Sequence, residues 1–113
     1  MDKTRKEKWY EWEQIAQNYY ESKWYDLVVK NWTIPGWEID LILQNNEKLL
    51  FVEVKSIVYV DDIYDYITPR KLQTVKKTID TYVWKKPTNK LVSFDVIFIK
   101  NWEVFEMYEN VEI

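Results

Sequence analysis

The sequence contains no cysteine and no histidine among its 113 residues. The lack of cysteine excludes disulfide bonds, thiolate metal sites and a cysteine nucleophile. The lack of histidine removes the commonest zinc ligand and the usual general base. Any chemistry must therefore use carboxylates, lysines, hydroxyls and a hard cation, for which Mg²⁺ or Mn²⁺ is the natural choice.

Long apolar runs are missing as well. No stretch approaches the roughly 20 residues needed to cross a bilayer, and the N-terminal segment MDKTRKEKWYEWEQ lacks the apolar core of a signal peptide. We therefore expect a cytoplasmic protein without a membrane partner. The length and the hydrophobic content of 47% predict one packed domain spanning residues 1–113.

The net charge of −3 hides an uneven distribution. Residues 68–90 carry seven basic residues and one acidic residue, a charge of +6, whereas residues 9–67 carry eleven acidic and four basic residues, a charge of −7. A carboxylate-rich segment beside a basic segment is what metal-assisted phosphodiester cleavage would require. Many ordinary soluble domains have the same distribution, so charge alone does not decide the function.

Apolar periodicity predicts the element order α β β β α β β. The second helix begins at Thr68-Pro69, where threonine caps the helix and proline takes its first position. A mixed sheet flanked by helices would bury both amphipathic helices, so we predict an α/β fold. Residues 57–67 are expected to be irregular. The predicted helices run from about Thr4 to Glu21 and from Thr68 to Pro87, and the predicted strands lie within Trp24–Trp32 and at Glu38–Leu43, Leu49–Ser56, Leu91–Lys100 and Glu103–Tyr108.

Two neighbouring strands carry a group of charged side chains. Residues two apart in a strand share a face, which places Glu38 with Asp40 and Glu53 with Lys55. Residues 44–48 read as a hairpin turn. If Gln44 pairs with Leu49, Asp40 lies directly opposite Glu53, and cross-strand partners point the same way. A slip of one residue would break this arrangement, so the prediction depends on register.

Such a group of side chains is suited to phosphodiester hydrolysis, which needs a neutralised phosphate and an activated water. Asp40 and Glu53 would hold Mg²⁺ or Mn²⁺, with the Val54 carbonyl as a third ligand. Lys55 would orient the attacking water and stabilise transition-state charge, and Glu13 on the first helix could add a carboxylate. The alternative is a solvated set of ion pairs on an exposed sheet face.

An Asp on one strand followed by Glu-x-Lys on the next resembles the PD-(D/E)xK nuclease superfamily. The surrounding residues resemble the YraN family, which is regarded as predicted endonucleases related to Holliday-junction resolvases. The resemblance runs in order from about residue 12 to residue 100. It comprises Glu13-Gln-Ile-Ala16, Asn31-Trp32, Glu38-Ile39-Asp40-Leu41-Ile42, Leu50-Phe51-Val52-Glu53-Val54-Lys55, Ile67-Thr68-Pro69-Arg70-Lys71, Tyr82-Val83 and Ser93-Phe94-Asp95-Val96.

The resemblance implies a restriction-endonuclease-like core and metal-dependent cleavage of nucleic acid, most simply DNA. Junction-cleaving relatives are dimeric, so it also implies a homodimer. The second helix would supply phosphate contacts through basic side chains, which are Arg70, Lys71, Lys76 and Lys77. The alternative for this helix is a solvated face, and Lys71 at its start could either flank the apolar stripe or reach toward the carboxylates. The rival for the whole chain is a nuclease fold that binds nucleic acid or docks on a protein without cutting, and a third possibility is a structural scaffold.

Tryptophan is unusually common and glycine unusually rare. The chain has seven tryptophans and one glycine, against a usual glycine share of roughly 7%. The YraN pattern has glycine at the positions of Trp12, Trp24 and Trp37. Trp102 follows Asn101 between two predicted strands, where Asn-Gly is the favoured turn. We hypothesise that UGA codons, read as glycine in the source organism, appear as tryptophan at these four positions.

Overall fold

The computed structural model describes residues 3–57 and 66–113, and its elements follow the predicted order α β β β α β β. Most of the segment predicted to be irregular, residues 57–67, lies outside the described residues. The helices are α1 (Arg5–Glu21) and α2 (Pro69–Lys85), and the strands are β1 (Asp26–Ile34), β2 (Trp37–Gln44), β3 (Lys48–Ser56), β4 (Leu91–Lys100) and β5 (Glu103–Tyr108).

Both helices begin at a threonine that caps the free backbone N–H groups of the first turn. Oγ1 of Thr4 accepts a hydrogen bond from the N–H of Glu7 at 3.1 Å, and Oγ1 of Thr68 accepts one from Lys71 at 3.2 Å. Pro69 occupies the first position of α2, as the sequence predicts. This cap fixes where α2 starts and therefore where Lys71 points.

The five strands form one mixed sheet in the order β1-β2-β3-β4-β5. The β3–β4 pair is parallel and the other three pairs are antiparallel. Gln44 pairs with Leu49, which confirms the predicted hairpin register. The turn is held by Asn45, whose Oδ1 accepts hydrogen bonds from the N–H groups of Glu47 and Lys48 at 2.9 and 2.7 Å.

Each helix covers one face of the sheet and forms its own core. On one face Val75, Ile79 and Tyr82 of α2 pack in a cluster with Phe51 and Phe98. On the other, α1 packs through Ala16 and Tyr20, together with buried aliphatic residues of β2, β3 and β4 that include Leu41, Val52 and Ile97. None of the helices in the described part of the chain is long and apolar enough to span a membrane.

The alternation of side chains along β2 breaks at Asp40. Ile39 belongs to the cluster under α2, whereas Leu41 belongs to the cluster under α1, although residues two apart in a regular strand share a face. The β1–β2 ladder passes from Lys30–Leu41 to Trp32–Ile39 without a pair between Asn31 and Asp40. This irregularity places Asp40 where groups from both faces of the sheet can approach it.

Asp95 lies inside β4 and acts as a structural hydrogen-bond partner. Its Oδ2 accepts a hydrogen bond from the hydroxyl of Tyr20 at 3.0 Å, and its Oδ1 accepts one from the N–H of Asn110 at 2.9 Å. These contacts tie α1 and the C-terminal segment to the sheet. Asp95 therefore belongs to the fold and lies apart from the carboxylates described next.

Candidate metal centre

The link between β2 and β3 at the site is a hydrogen bond from backbone to side chain. Oδ2 of Asp40 accepts a hydrogen bond from the N–H of Val54 at 2.8 Å, and both residues are buried. The paired part of the β2–β3 ladder ends at Leu41–Val52, one residue before the predicted Asp40–Glu53 pair, and the alternation of β2 breaks at Asp40. The predicted juxtaposition of the two strands is nevertheless present, with the Val54 N–H as the contact that holds Asp40.

Glu53 is buried and lies between two ammonium groups. Its Oε1 is 3.3 Å from Nζ of Lys55 on the same strand and 3.6 Å from Nζ of Lys71 on α2. The sequence predicted Lys71 as a nucleic-acid contact on a basic helix, and the structure places it within this site. The sheet face under α2 thus carries one carboxylate and two cations.

A second group of carboxylates forms on the other side of Asp40. Nδ2 of Asn31 donates to Oε2 of Glu13 at 2.9 Å and to Oε1 of Glu38 at 2.6 Å. Glu13, from α1, is 1% exposed. Asn31 has a φ of +51°, a conformation that asparagine tolerates better than most residues, and this turns its side chain toward both carboxylates.

Glu13, Glu38 and Asp40 each present one carboxylate oxygen, and these three oxygens lie within 4.8 Å of one another. Oε1 of Glu13 is buried and has no hydrogen-bond partner among residues 3–57 and 66–113. A buried carboxylate oxygen without a partner costs free energy unless a cation or proton satisfies it. Hard oxygen ligands in this number fit Mg²⁺ or Mn²⁺.

Burial and mutual repulsion shift the pKa values of the acids. Burial, followed by the charges of Glu53, Glu13 and Glu38, raises the pKa of Asp40 to about 7, although the Val54 N–H opposes the shift. Burial also raises the pKa of Glu13, and the Asn31 hydrogen bond offsets part of that rise. Without a cation, the site is therefore partly protonated near neutral pH.

The two lysines shift in opposite directions. Burial alone would lower the pKa of Lys55, but the Glu53 carboxylate, the Lys71 side chain and the charge of Asp40 together raise the pKa above its ordinary value. Burial lowers the pKa of Lys71, and the neighbouring charge of Lys55 adds to that effect against the attraction of Glu53. Of the two ammonium groups beside Glu53, Lys71 therefore loses its proton more readily than Lys55.

The carboxylates open into a groove of about 530 Å³. Trp9 and Trp12 of α1 and Trp37 of β2 form its apolar walls, and Arg5 stands at the start of α1. Asp40, Glu53 and Lys55 line the same groove, so the charged groups are accessible to a ligand.

The remaining basic residues of α2 are not brought to this groove. Arg70 is exposed, Lys76 pairs with Asp80 at 3.0 Å, and Lys77 lines a separate shallow groove with Trp84. Their predicted contact with nucleic acid stays a prediction.

Sequence reasoning left two participants out of the site residues. The sequence places Glu38 on one face with Asp40 but assigns it no role, and Asn31 enters only through the family resemblance. The available signal was the spacing of Glu38 and Asp40, two residues apart on one strand. No spacing of residues in the sequence indicates the positive φ of Asn31 or the break in side-chain alternation at Asp40.

Comparison with known proteins places this geometry in a family. The sequence model of the uncharacterised protein family UPF0102 matches residues 12–99. The chain belongs to the UPF0102 family. This confirms the resemblance to the YraN family, which is the same family under another name.

Its relatives in the UPF0102 family align over most of their length. A UPF0102 protein of Helicobacter pylori strain P12 is 34% identical over 111 residues, covering 98% of this chain and 96% of the relative. A UPF0102 protein of Aliarcobacter butzleri is 34% identical over 100 residues, covering 88% and 90%. A UPF0102 protein of Flavobacterium psychrophilum is 30% identical over 89 residues, covering 77% and 75%. The names of these relatives state no activity.

Proposed function

We propose that this UPF0102 protein is a divalent-metal-dependent nuclease that hydrolyses phosphodiester bonds in DNA, related in chemistry to Holliday-junction resolvases. The observation that supports it most directly is the hydrogen bond from the Val54 N–H to Asp40, because it brings the Asp40 strand against the Glu53–Lys55 strand. Asp40, Glu53 and Lys55 line one groove, and Glu13 is buried behind it with a carboxylate oxygen within 4.8 Å of one of Asp40.

The residues suit a hard cation. Asp40 and Glu53, with the Val54 carbonyl, are the proposed ligands, and Glu13 and Glu38 supply further oxygens within reach of Asp40. A bound Mg²⁺ or Mn²⁺ would neutralise phosphate charge and acidify a water molecule. The unpartnered, buried Oε1 of Glu13 supports this assignment, since a purely structural carboxylate is normally satisfied by protein donors.

The protein's own groups have distinct roles in this proposal. Lys55 stabilises negative charge that develops on the scissile phosphate. Lys71 holds Glu53 from α2 and keeps that carboxylate directed toward the groove. Asn31 holds Glu13 and Glu38 together, which offsets part of the repulsion between them.

Binding of the DNA backbone is assigned to basic side chains around the groove and on α2. Arg5 lines the groove, and Arg70, Lys76 and Lys77 are exposed on the helix that carries Lys71. Such contacts give salt-dependent affinity without sequence preference. A cytoplasmic location and a homodimer complete the proposal.

One observation favours the rival function, a binding module without turnover. Glu53 is already engaged by two ammonium groups, so its charge is compensated in the absence of a cation. In that case the site would attract a phosphate weakly and would not cleave it.

The experiment that decides between them is a nicking assay on supercoiled plasmid and on branched DNA with Mn²⁺ or Mg²⁺. We expect metal-dependent cleavage by the wild type and its loss in Glu53→Gln and Asp40→Asn. Asp80→Asn, an acid on the exposed face of α2, is the matched control and should cleave normally. Equal inactivity of wild type and Glu53→Gln on every substrate, with retained DNA binding, would favour the binding module.

A further inference from the structure

The turn that follows α1 is a helix C-terminal motif built around residue 24. The N–H of Tyr25 donates to the carbonyl of Tyr20 at 3.1 Å, and the N–H of Trp24 donates to that of Glu21 at 3.1 Å. This nested pair of hydrogen bonds defines a Schellman motif with residue 24 in the left-handed position, which glycine usually occupies. Trp24 has a φ of +71° there, and its side chain is 87% exposed.

A second turn, of a different kind, also requires a positive φ at residue 102. Lys100 pairs with Glu103, so Asn101 and Trp102 form a two-residue hairpin loop between β4 and β5. Their φ values are +51° and +63°. A loop with positive φ at both positions is a type I′ turn, for which Asn-Gly is the favoured pair. Tryptophan thus stands in the glycine position of this turn too.

The other positive-φ positions in the described part of the chain are occupied by residue types that adopt this conformation readily. They are Gly36 and three asparagines, residues 31, 101 and 110. Glycine has no Cβ to clash, and asparagine tolerates the left-handed region, whereas a bulky residue there is a strained outlier. Trp24 gains no buried position that would offset this strain, whereas the half-exposed Trp102 ring packs against Trp12, which is itself one of the four positions in question.

We infer that residues 24 and 102 of the native protein are glycine, encoded by UGA codons that the source organism reads as glycine. Two turn motifs of different kinds support this independently of any family pattern. The same decoding would apply at Trp12 and Trp37. The indole N–H of Trp37 is buried without a hydrogen-bond partner in the part of the chain that the structure describes, which is unfavourable for a genuine tryptophan.

Glycine at residues 12 and 37 would alter the groove at the candidate site, in addition to the effect of glycine at residues 24 and 102 on the two turns. Trp12 and Trp37 line the groove beside Asp40, and the Trp12 ring packs against that of Trp102 at a centroid distance of 6.0 Å. Glycine at residues 12 and 37 would remove two of the three indole walls and open the carboxylates to a broader substrate. Residues 12 and 37 therefore determine how wide a ligand the groove admits; this consequence rests on the proposed function, whereas the inference about residue identity does not.

The first test reads the gene and the native protein. We expect UGA at codons 12, 24, 37 and 102, and UGG at codons 9, 32 and 84, where neither a positive φ nor the family pattern requires glycine. Mass spectrometry of peptides from the source organism should then give glycine masses at residues 24 and 102. A UGG codon or a tryptophan mass at either position would overturn the inference.

The second test measures strain in the purified chain. Trp24→Gly should raise the Tm by about 4–8 °C because it relieves the left-handed conformation. Trp24→Ala removes the same indole but retains a Cβ, so it should leave the Tm close to that of the parent. Trp84→Gly, at an equally exposed position inside α2, should lower the Tm. A Tm for Trp24→Gly no higher than that for Trp24→Ala would overturn the conformational argument, and none of these readouts depends on nuclease activity.

Discussion

Oδ2 of Asp40 accepts the N–H of Val54 at 2.8 Å, so a carboxylate side chain takes a main-chain N–H of the neighbouring strand. Asp40 thereby stays fixed between the Glu13–Glu38 pair, on the α1 side, and Glu53, which faces α2. A carboxylate held in this way is positioned before any ligand arrives, which is what a preformed metal site requires.

Asp40→Asn tests whether Asp40 binds a cation. Asparagine can still accept the Val54 N–H, so we expect the metal-free Tm at pH 8 to be maintained or raised, since one buried charge is lost. The rise in Tm that Mn²⁺ produces in the wild type should disappear; at 100 times the Kd that rise corresponds to about 2.7 kcal/mol. An unchanged Mn²⁺ effect in Asp40→Asn would show that Asp40 is not a ligand.

The pH dependence of stability follows from the raised pKa of Asp40, about 7 against an ordinary value of 3.8. Between these values the folded chain holds a proton that the unfolded chain releases, so stability falls as pH rises from about 4 to 7. The effect is at most about 4 kcal/mol. Thermal unfolding from pH 4 to 8 without metal should show this slope, and Asp40→Asn should reduce it.

A smaller slope should remain in Asp40→Asn, because burial also raises the pKa values of Glu13 and Asp95. Saturating Mn²⁺ should flatten the wild-type profile, since a cation favours the ionised carboxylates. If the stability of the metal-free wild type rose between about pH 4 and 7, the raised pKa of Asp40 would be contradicted.

Much of the site could be predicted because it depends on strand register. The four residues between Gln44 and Leu49 include two turn-forming asparagines, and Asn45 does hold the turn. Once that pair is set, the Asp40 end of β2 must lie beside the Glu53–Lys55 end of β3, and Asp40 does contact Val54 there. Both helices could be predicted as well, α1 from its apolar periodicity and α2 from the Thr68 cap followed by Pro69.

Other parts depend on tertiary structure that local patterns do not encode. The contact between Lys71 and Glu53 requires α2 to cross the face of the sheet between two parallel strands, β3 and β4. The Glu13–Asn31–Glu38 bridge requires the positive φ of Asn31 and the missing Asn31–Asp40 pair in the β1–β2 ladder. The alternation of apolar and polar residues in the sequence does not predict either feature. Alternation along β2 would also place Ile39 and Leu41 on one face, whereas they pack on opposite faces.

Asn31→Gly tests the bridge between Glu13 and Glu38. Glycine accommodates the φ of +51°, so this variant removes the amide without adding backbone strain. Glu13 and Glu38 would lose their shared donor, and we expect a loss of about 1–3 kcal/mol in the metal-free protein.

The same variant should lose less stability when Mn²⁺ is saturating, because the cation takes over the role of the amide. Asn110→Gly, at the same φ but beside Asp95, provides the matched control. Its stability should change equally with and without metal. An equal loss for Asn31→Gly in both conditions would place Asn31 outside the metal site.

Lys71→Gln and Lys77→Gln separate the site from the surrounding basic surface, since both lysines lie on α2 but only Lys71 of the pair reaches Glu53. If Lys71 holds Glu53 in position, its loss should lower the nicking rate at saturating DNA by tenfold or more, which is about 1.4 kcal/mol. Lys77→Gln should leave that rate unchanged, weaken DNA binding, and reduce the slope of log affinity against log salt by about 1. Nicking rates measured at saturating DNA, with affinities from a salt titration, distinguish the two roles. Identical behaviour of the two variants would mean that Lys71 acts as one more surface charge.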